Sequence, residues 1–82
     1  MNKTLYLYTT AGCHLCDMAM AIVHPLVQQQ GIKLELVEIS EQESLVEKYG
    51  VRIPVIRLDG QESDLGWPFE AEQAQAYLLS DQ

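Results

Sequence analysis

Two cysteines stand three apart in the stretch TTAGCHLCDMAM, residues 9–20, as Cys13 and Cys16. Thiols this close can bridge to each other, share a metal, or simply pack as small apolar residues, and their surroundings must choose. If a helix opens at Cys13, that residue occupies the N-cap, with its sulfur placed to accept hydrogen bonds from the backbone N–H groups of Leu15 and Cys16. A thiolate accepts such bonds better than a thiol does, and the positive end of the helix dipole favours the same charge. The Cys13 thiol should therefore ionise more readily than an ordinary one, which makes it the candidate nucleophile. Cys16, one turn on and leaning back toward the helix N-terminus, is screened from solvent yet within reach of Cys13, the position of a resolving thiol.

His14 has two readings: an imidazolium that steadies the thiolate and tunes its pKa, or an exposed residue of the first turn whose effect Asp17 opposes. His24 has no chemical partner at helical spacing and reads as a surface or packing residue. Cys13, His14 and Cys16 are too crowded to ligate one tetrahedral zinc together, and His24 lies about two to three turns farther on, so no resident metal is expected.

The elements that must position this pair follow from the pattern of apolar residues. TLYLY, residues 4–8, is a buried first strand. From Cys13, the apolar positions Leu15, Met18, Ala19, Ile22, Val23 and Leu26 predict a helix to about Gln29, stopped by Gly31 and kinked or tightened early at Pro25. KLELVEI, 33–39, is a second strand. Ser40 and Glu43 suggest a capping box for a short helix with Leu45, Val46 and Tyr49 inside and a left-handed Gly50 at its end. PVIRL, 54–58, is a third strand starting on its proline, and Asp59-Gly60 signals a two-residue hairpin into a strand around 61–65. Pro68 opens a last helix with Ala71, Ala74, Tyr77 and Leu78 facing inward. The first two strands should be parallel with a right-handed crossover, and the hairpin should add antiparallel strands, giving an α/β domain with a mixed four-stranded sheet covered by helices.

Eighty-two residues, 48% of them apolar, suit one domain spanning 1–82. Twelve Asp and Glu against five Lys and Arg give a net charge of −7, which repels phosphate backbones and excludes nucleic acid and anionic membrane as expected partners. The start, MNKTLYLYTTAG, lacks the build of a signal peptide, and no run approaches the ~20 apolar residues of a membrane span. A cytoplasmic monomer is expected, and in a reducing compartment a close cysteine pair is catalytic or metal-binding before it is structural.

C-x-x-C after a first strand, with R-I-P-V at 52–55 entering the third, resembles the thioredoxin superfamily. The minimal βαβαββα order is similar to its glutaredoxin-like branch, and YGVRIP, 49–54, resembles the segment before the thioredoxin cis-proline. The resemblance covers Leu5 to about Leu79. It implies a thioredoxin-like fold and a cis Ile53–Pro54 peptide facing the cysteines, with Ile53 and Pro54 contacting an extended substrate. Arg52 beside them either meets a substrate carboxylate or pairs with one of the chain's acids. His14 and Leu15 stand where glutaredoxins commonly carry proline and an aromatic residue, their upstream lysine is replaced by Thr9–Gly12, and Asp64-Leu65-Gly66-Trp67 is the nearest counterpart of their glutathione-holding loop. Trp67 reads either as an aromatic wall beside the cysteines or as a packing anchor.

The function expected from all this is a small dithiol oxidoreductase or electron carrier in cell redox homeostasis. It would reduce protein disulfides or glutathione mixed disulfides, draw on a separate reductant and require no cofactor, with glutathione as a candidate co-substrate. The alternative is an iron–sulfur or metal-carrying module, with a cluster shared between two chains through Cys13 and completed by external thiols.

Overall fold

The computed structural model describes residues 3–79. In chain order it has strand β1 (Thr4–Thr9), helix α1 (His14–Gln30), strand β2 (Lys33–Glu38), a 3-10 turn (Ile39–Glu41), helix α2 (Glu43–Tyr49), strands β3 (Val55–Leu58) and β4 (Leu65–Gly66), and helix α3 (Ala71–Leu79). The strands form one mixed sheet in the order β2-β1-β3-β4. β1 and β2 are parallel, and β3 runs antiparallel to both β1 and β4.

Alternation along the two central strands divides their side chains between two layers. Leu5 and Leu7 of β1, with Ile56 and Leu58 of β3, pack beneath Ala19, Val23, Leu26 and Val27 of α1 and Ala74 and Leu78 of α3. Tyr8 and Val55 point the other way and pack with Ile39 and with Tyr49 of α2. Leu15 and Met18 are 44% and 47% exposed, so the inner stripe of α1 is narrower at its start than the apolar spacing implied, while Val27 widens it at the end. As expected, the helix continues through Pro25, and α1 runs to Gln30. A Schellman closure follows at Gly31 (φ 68), with the Gly31 N–H on the Gln28 carbonyl and the Ile32 N–H on that of Val27.

Other local expectations are corrected. The Ser40–Glu43 capping box does not form, because Ser40 lies in the 3-10 turn and gives its N–H to the Glu38 carboxylate at 3.1 Å. Helix α2 starts instead from Gln42 without a side-chain cap. Gly50 is right-handed (φ −50), and the reason for glycine there is steric, since a Cβ would collide with the Val46 carbonyl oxygen. Val46 is exposed, and Leu45 and Tyr49 carry the inner face of α2. Pro54 precedes β3, Pro68 lies three residues ahead of α3, and Ala71 faces solvent. The N-terminus of α3 is tied by the Gln73 carboxamide, which accepts the Glu70 N–H at 2.8 Å.

Asp59 and Gly60 do turn the chain, with the Gln61 N–H on the Leu58 carbonyl, but β4 is delayed to Leu65. The cause is Tyr77. Its hydroxyl accepts the Leu58 N–H at 2.9 Å and donates to the Ser63 carbonyl at 2.6 Å, standing between two strands that would otherwise bond directly.

Candidate redox site

Residues 10–13 form a tight turn in which the Cys13 N–H reaches the Thr10 carbonyl at 3.2 Å. Gly12 (φ 77) fills the third position, where a type II turn needs a positive φ. The turn delivers Cys13 to the N-cap of α1 in an extended conformation, φ −82 and ψ 103. Its Sγ accepts the Cys16 N–H at 3.1 Å; of the two donors anticipated, this is the one that bonds. The two sulfurs are joined as a disulfide with Cα atoms 5.3 Å apart. Cys16 is 4% exposed and Cys13 only half-buried, so the bond presents its Cys13 side to an incoming thiol. His14 opens α1 and is exposed.

Sheet register carries the second part of the site to the same end of the molecule. Tyr8 is opposite Val55, and Val55 is opposite Gly66. The loop after β1, the residues before β3 and those after β4 therefore meet at one edge. The Ile53–Pro54 peptide is cis, and the Pro54 carbonyl accepts the Trp67 N–H at 3.0 Å. Trp67–Pro68 is also cis, which nothing in the sequence singled out. Trp67 itself is an anchor, half-buried against the core with its ring edge-on to Phe69 at 5.1 Å.

The Tyr49 carbonyl captures the approach to Pro54 by accepting the N–H groups of Arg52 (2.8 Å) and Ile53 (3.0 Å). The Ile53 N–H is thus committed inside the protein. Arg52 forks onto Asp64, Nη1 to Oδ2 at 3.3 Å and Nη2 to Oδ1, and hydrogen bonding to that carboxylate raises the guanidinium pKa. Of its two readings, pairing within the chain is what the geometry contains. The guanidinium also lies close over β4, where a Cβ on Gly66 would approach Nη2 to 3.2 Å.

Glu38 was not anticipated. It pairs in register with Thr9 at the end of β2, and its carboxylate accepts the Ser40 N–H at 3.1 Å beside Thr10 and Ala11 of the cysteine loop. The Ser40 N–H first, with the polar groups of Thr10 and Ala11 adding to it, holds its pKa below the usual carboxylate value. A signal existed in the sequence, since the residue ending the strand parallel to β1 must lie beside the loop that leaves β1. Among the described residues, no group of three or more His, Cys, Asp or Glu side chains is arranged to hold a metal ion.

No match was found among curated proteins. Among solved structures, the target protein XcR50 from X. campestris is similar at 36% identity and a TM-score of 0.78, over 93% of this chain and 96% of that one. Protein Ne2328 from Nitrosomonas europaea shares 26% identity with the same TM-score, 0.78, over 92% and 89%. A mutant thioredoxin from Halobacterium salinarum NRC-1, 23% identical over 95% of this chain and 73% of its own, has a TM-score of 0.73 and supports the thioredoxin-like fold. The model of the glutaredoxin-like domain (DUF836) matches residues 4–79, and with its cysteine pair at the N-terminus of α1 this chain belongs to that glutaredoxin-like family.

Proposed function

We propose that the protein is a thiol–disulfide oxidoreductase that cycles Cys13 and Cys16 between dithiol and disulfide. The observation that carries this reading is the asymmetry of the pair: an N-cap sulfur with a backbone N–H aimed at it, and a buried partner one turn behind. In the reduced protein the same N–H and the helix N-terminus stabilise a Cys13 thiolate. That thiolate attacks one sulfur of a substrate disulfide, forming a mixed disulfide and expelling the other sulfur as a thiolate, which takes up a proton. Cys16, having lost its own proton, then attacks the Cys13 sulfur. The Cys13–Cys16 bond forms, and the second substrate sulfur leaves as a thiol. Two electrons have moved to the substrate, and an external dithiol reductant must return them.

The preferred substrate is a protein disulfide rather than a glutathione mixed disulfide. Asp64, the nearest counterpart of a glutathione-holding acid, is occupied by Arg52, and Leu65–Gly66 is a strand paired with β3. In this reading the Ile53 carbonyl, beside the cis-proline, pairs with the substrate backbone. His14 adjusts the potential of the pair from the exposed side of the first turn. A monomer acting in the cytoplasm, where close thiols are kept reduced, fits the two-cysteine content.

The test is trapping from cell extract. Cys16→Ser should accumulate mixed disulfides through Cys13, and Cys13→Ser should accumulate none. Equal behaviour of the two variants would remove the assigned roles, and a coloured protein retaining iron and sulfide after purification without oxygen would favour cluster carriage instead.

A further inference from the structure

On the face of the sheet away from α1 and α3, a groove of about 530 Å³ is lined by Tyr8, Leu45, Lys48, Tyr49, Arg57, Gln61 and Glu62. Its floor is aromatic: the Tyr8 and Tyr49 rings stack with centroids 4.1 Å apart. Arg57 is fixed in it from three sides. Nε donates to the Tyr8 hydroxyl at 3.1 Å, Nη1 donates to the Gln61 carbonyl at 3.0 Å, and the guanidinium carbon lies 5.3 Å from the centre of the Tyr6 ring. These bonds use two of the five guanidinium N–H groups and leave three, including both on Nη2. The Lys48 ammonium lies 5.3 Å from the centre of the Tyr49 ring.

The charge balance makes the arrangement unusual. The chain has twelve acids for five cations. Arg52 is paired with Asp64 and Lys33 lies 3.9 Å from Glu35, yet among the described residues neither Lys48 nor Arg57 has a carboxylate within ion-pairing distance. Both line this one groove, where aromatic faces and a phenol take the place of counter-ions. A guanidinium held rigid with free donors is a fork ready for an oxyanion, and a volume in the ~300–1,000 Å³ range leaves room for more than the oxyanion itself.

We propose that this groove is a binding site, separate from the cysteine pair, for a small organic anion: a phosphate or carboxylate head held by Arg57 and Lys48, on a planar ring that packs against Leu45 and the aliphatic stem of Lys48, above the buried Tyr8–Tyr49 stack. Glu62, at the rim, disfavours ligands carrying several charges. The site makes no use of Cys13 or Cys16, so it stands or falls independently of the redox role.

Titration of the ¹⁵N-labelled, disulfide-bonded chain tests it, with phenyl phosphate and benzoate as probes of the two head groups and inorganic phosphate as the ringless control. Saturable shifts are expected at Tyr8, Lys48, Tyr49, Gln61 and the Arg57 Nε–H, with none at Cys13 or Cys16. At least one ringed probe should bind roughly tenfold more tightly than inorganic phosphate, since the ring buries apolar surface. Arg57→Gln should weaken that probe by at least about tenfold, through loss of a charge-assisted bond. Because Arg57 also supports the fold, Lys48→Gln at an exposed position is the second variant, expected to weaken binding by about two- to fivefold, and Glu62→Gln should tighten it by a similar factor. Absence of saturable shifts with both ringed probes, equal affinity for inorganic phosphate, or unchanged affinity in Lys48→Gln would overturn the site.

Discussion

The two faces of the sheet solve the same burial problem with different chemistry. Under α1 and α3 the contacts are aliphatic and closed: Leu5, Leu7, Val23, Ile56 and Leu58 have no exposed surface. Under α2, a helix of seven residues faces Tyr6, Tyr8, Val55 and Arg57, and part of that surface stays open as the groove. A 17-residue helix can cover a strand along its whole length, and one of seven cannot. The uncovered length must then be made of residues that tolerate water at one end, and tyrosine and arginine are such residues. The aliphatic face fixes where the N-terminus of α1, and hence Cys13, points. The aromatic face leaves hydrogen-bonding groups at the surface.

Breaking the aliphatic face should have the larger effect. Leu7→Ala removes a fully buried side chain between β1 and the helices and is expected to cost ~2–5 kcal/mol, read as a lower urea midpoint at unchanged slope. In a domain this small that is a large part of total stability. Tyr49→Leu keeps most of the apolar volume beneath α2 but deletes the ring stack on Tyr8, so about 0.5–1.5 kcal/mol is expected, with mixed-disulfide trapping at Cys13 unchanged. Equal losses in the two variants would mean that the faces do not differ in how they hold the fold.

The same division explains what could be read from the sequence. Apolar periodicity placed α1, both central strands and Ala74 and Leu78 on the inner side of α3, though not Ala71, because a closed apolar layer leaves a regular trace. The cysteine pair at a helix start was legible for a related reason, since the turn glycine and the strand before it fix where the helix begins. What escaped depends on side chains reaching across the fold. The Tyr77 hydroxyl delays β4 from a position well along α3, so Asp59-Gly60 alone could not give the length of the hairpin. Glu38 takes the Ser40 N–H and displaces a capping box whose local spacing was correct. Arg52 had several acids to choose from, and only the return of the chain along β4 selects Asp64. Lys48 and Arg57 lie in different elements and share a groove only after α2 packs over β3.

The smallest expected effect concerns how the end of β2 steadies the cysteine loop, a link that belongs to neither face. Glu38 has its pKa lowered from 4.5, chiefly by the Ser40 N–H and then by Thr10, so the folded protein favours its ionised form. A depressed carboxyl pKa stabilises the fold at pH values above the ordinary carboxylate range, and that contribution is lost as the pH falls through the depressed value. Between pH 7 and about 5 the tie should hold, and below the ordinary value it should progressively release. The Ala11 and Ser40 amide resonances should therefore titrate together, with a midpoint below 4.5, the unperturbed value. Glu38→Gln should abolish that titration and speed exchange of the Ala11 amide at neutral pH. Because the carboxylate lies at the surface, global stability should hardly change, and the consequence should be a modest slowing of attack by a less well placed Cys13. If Ala11 titrates at the ordinary carboxylate value, or ignores the substitution, Glu38 caps the 3-10 turn alone and the loop draws its order from Gly12 and the helix N-terminus.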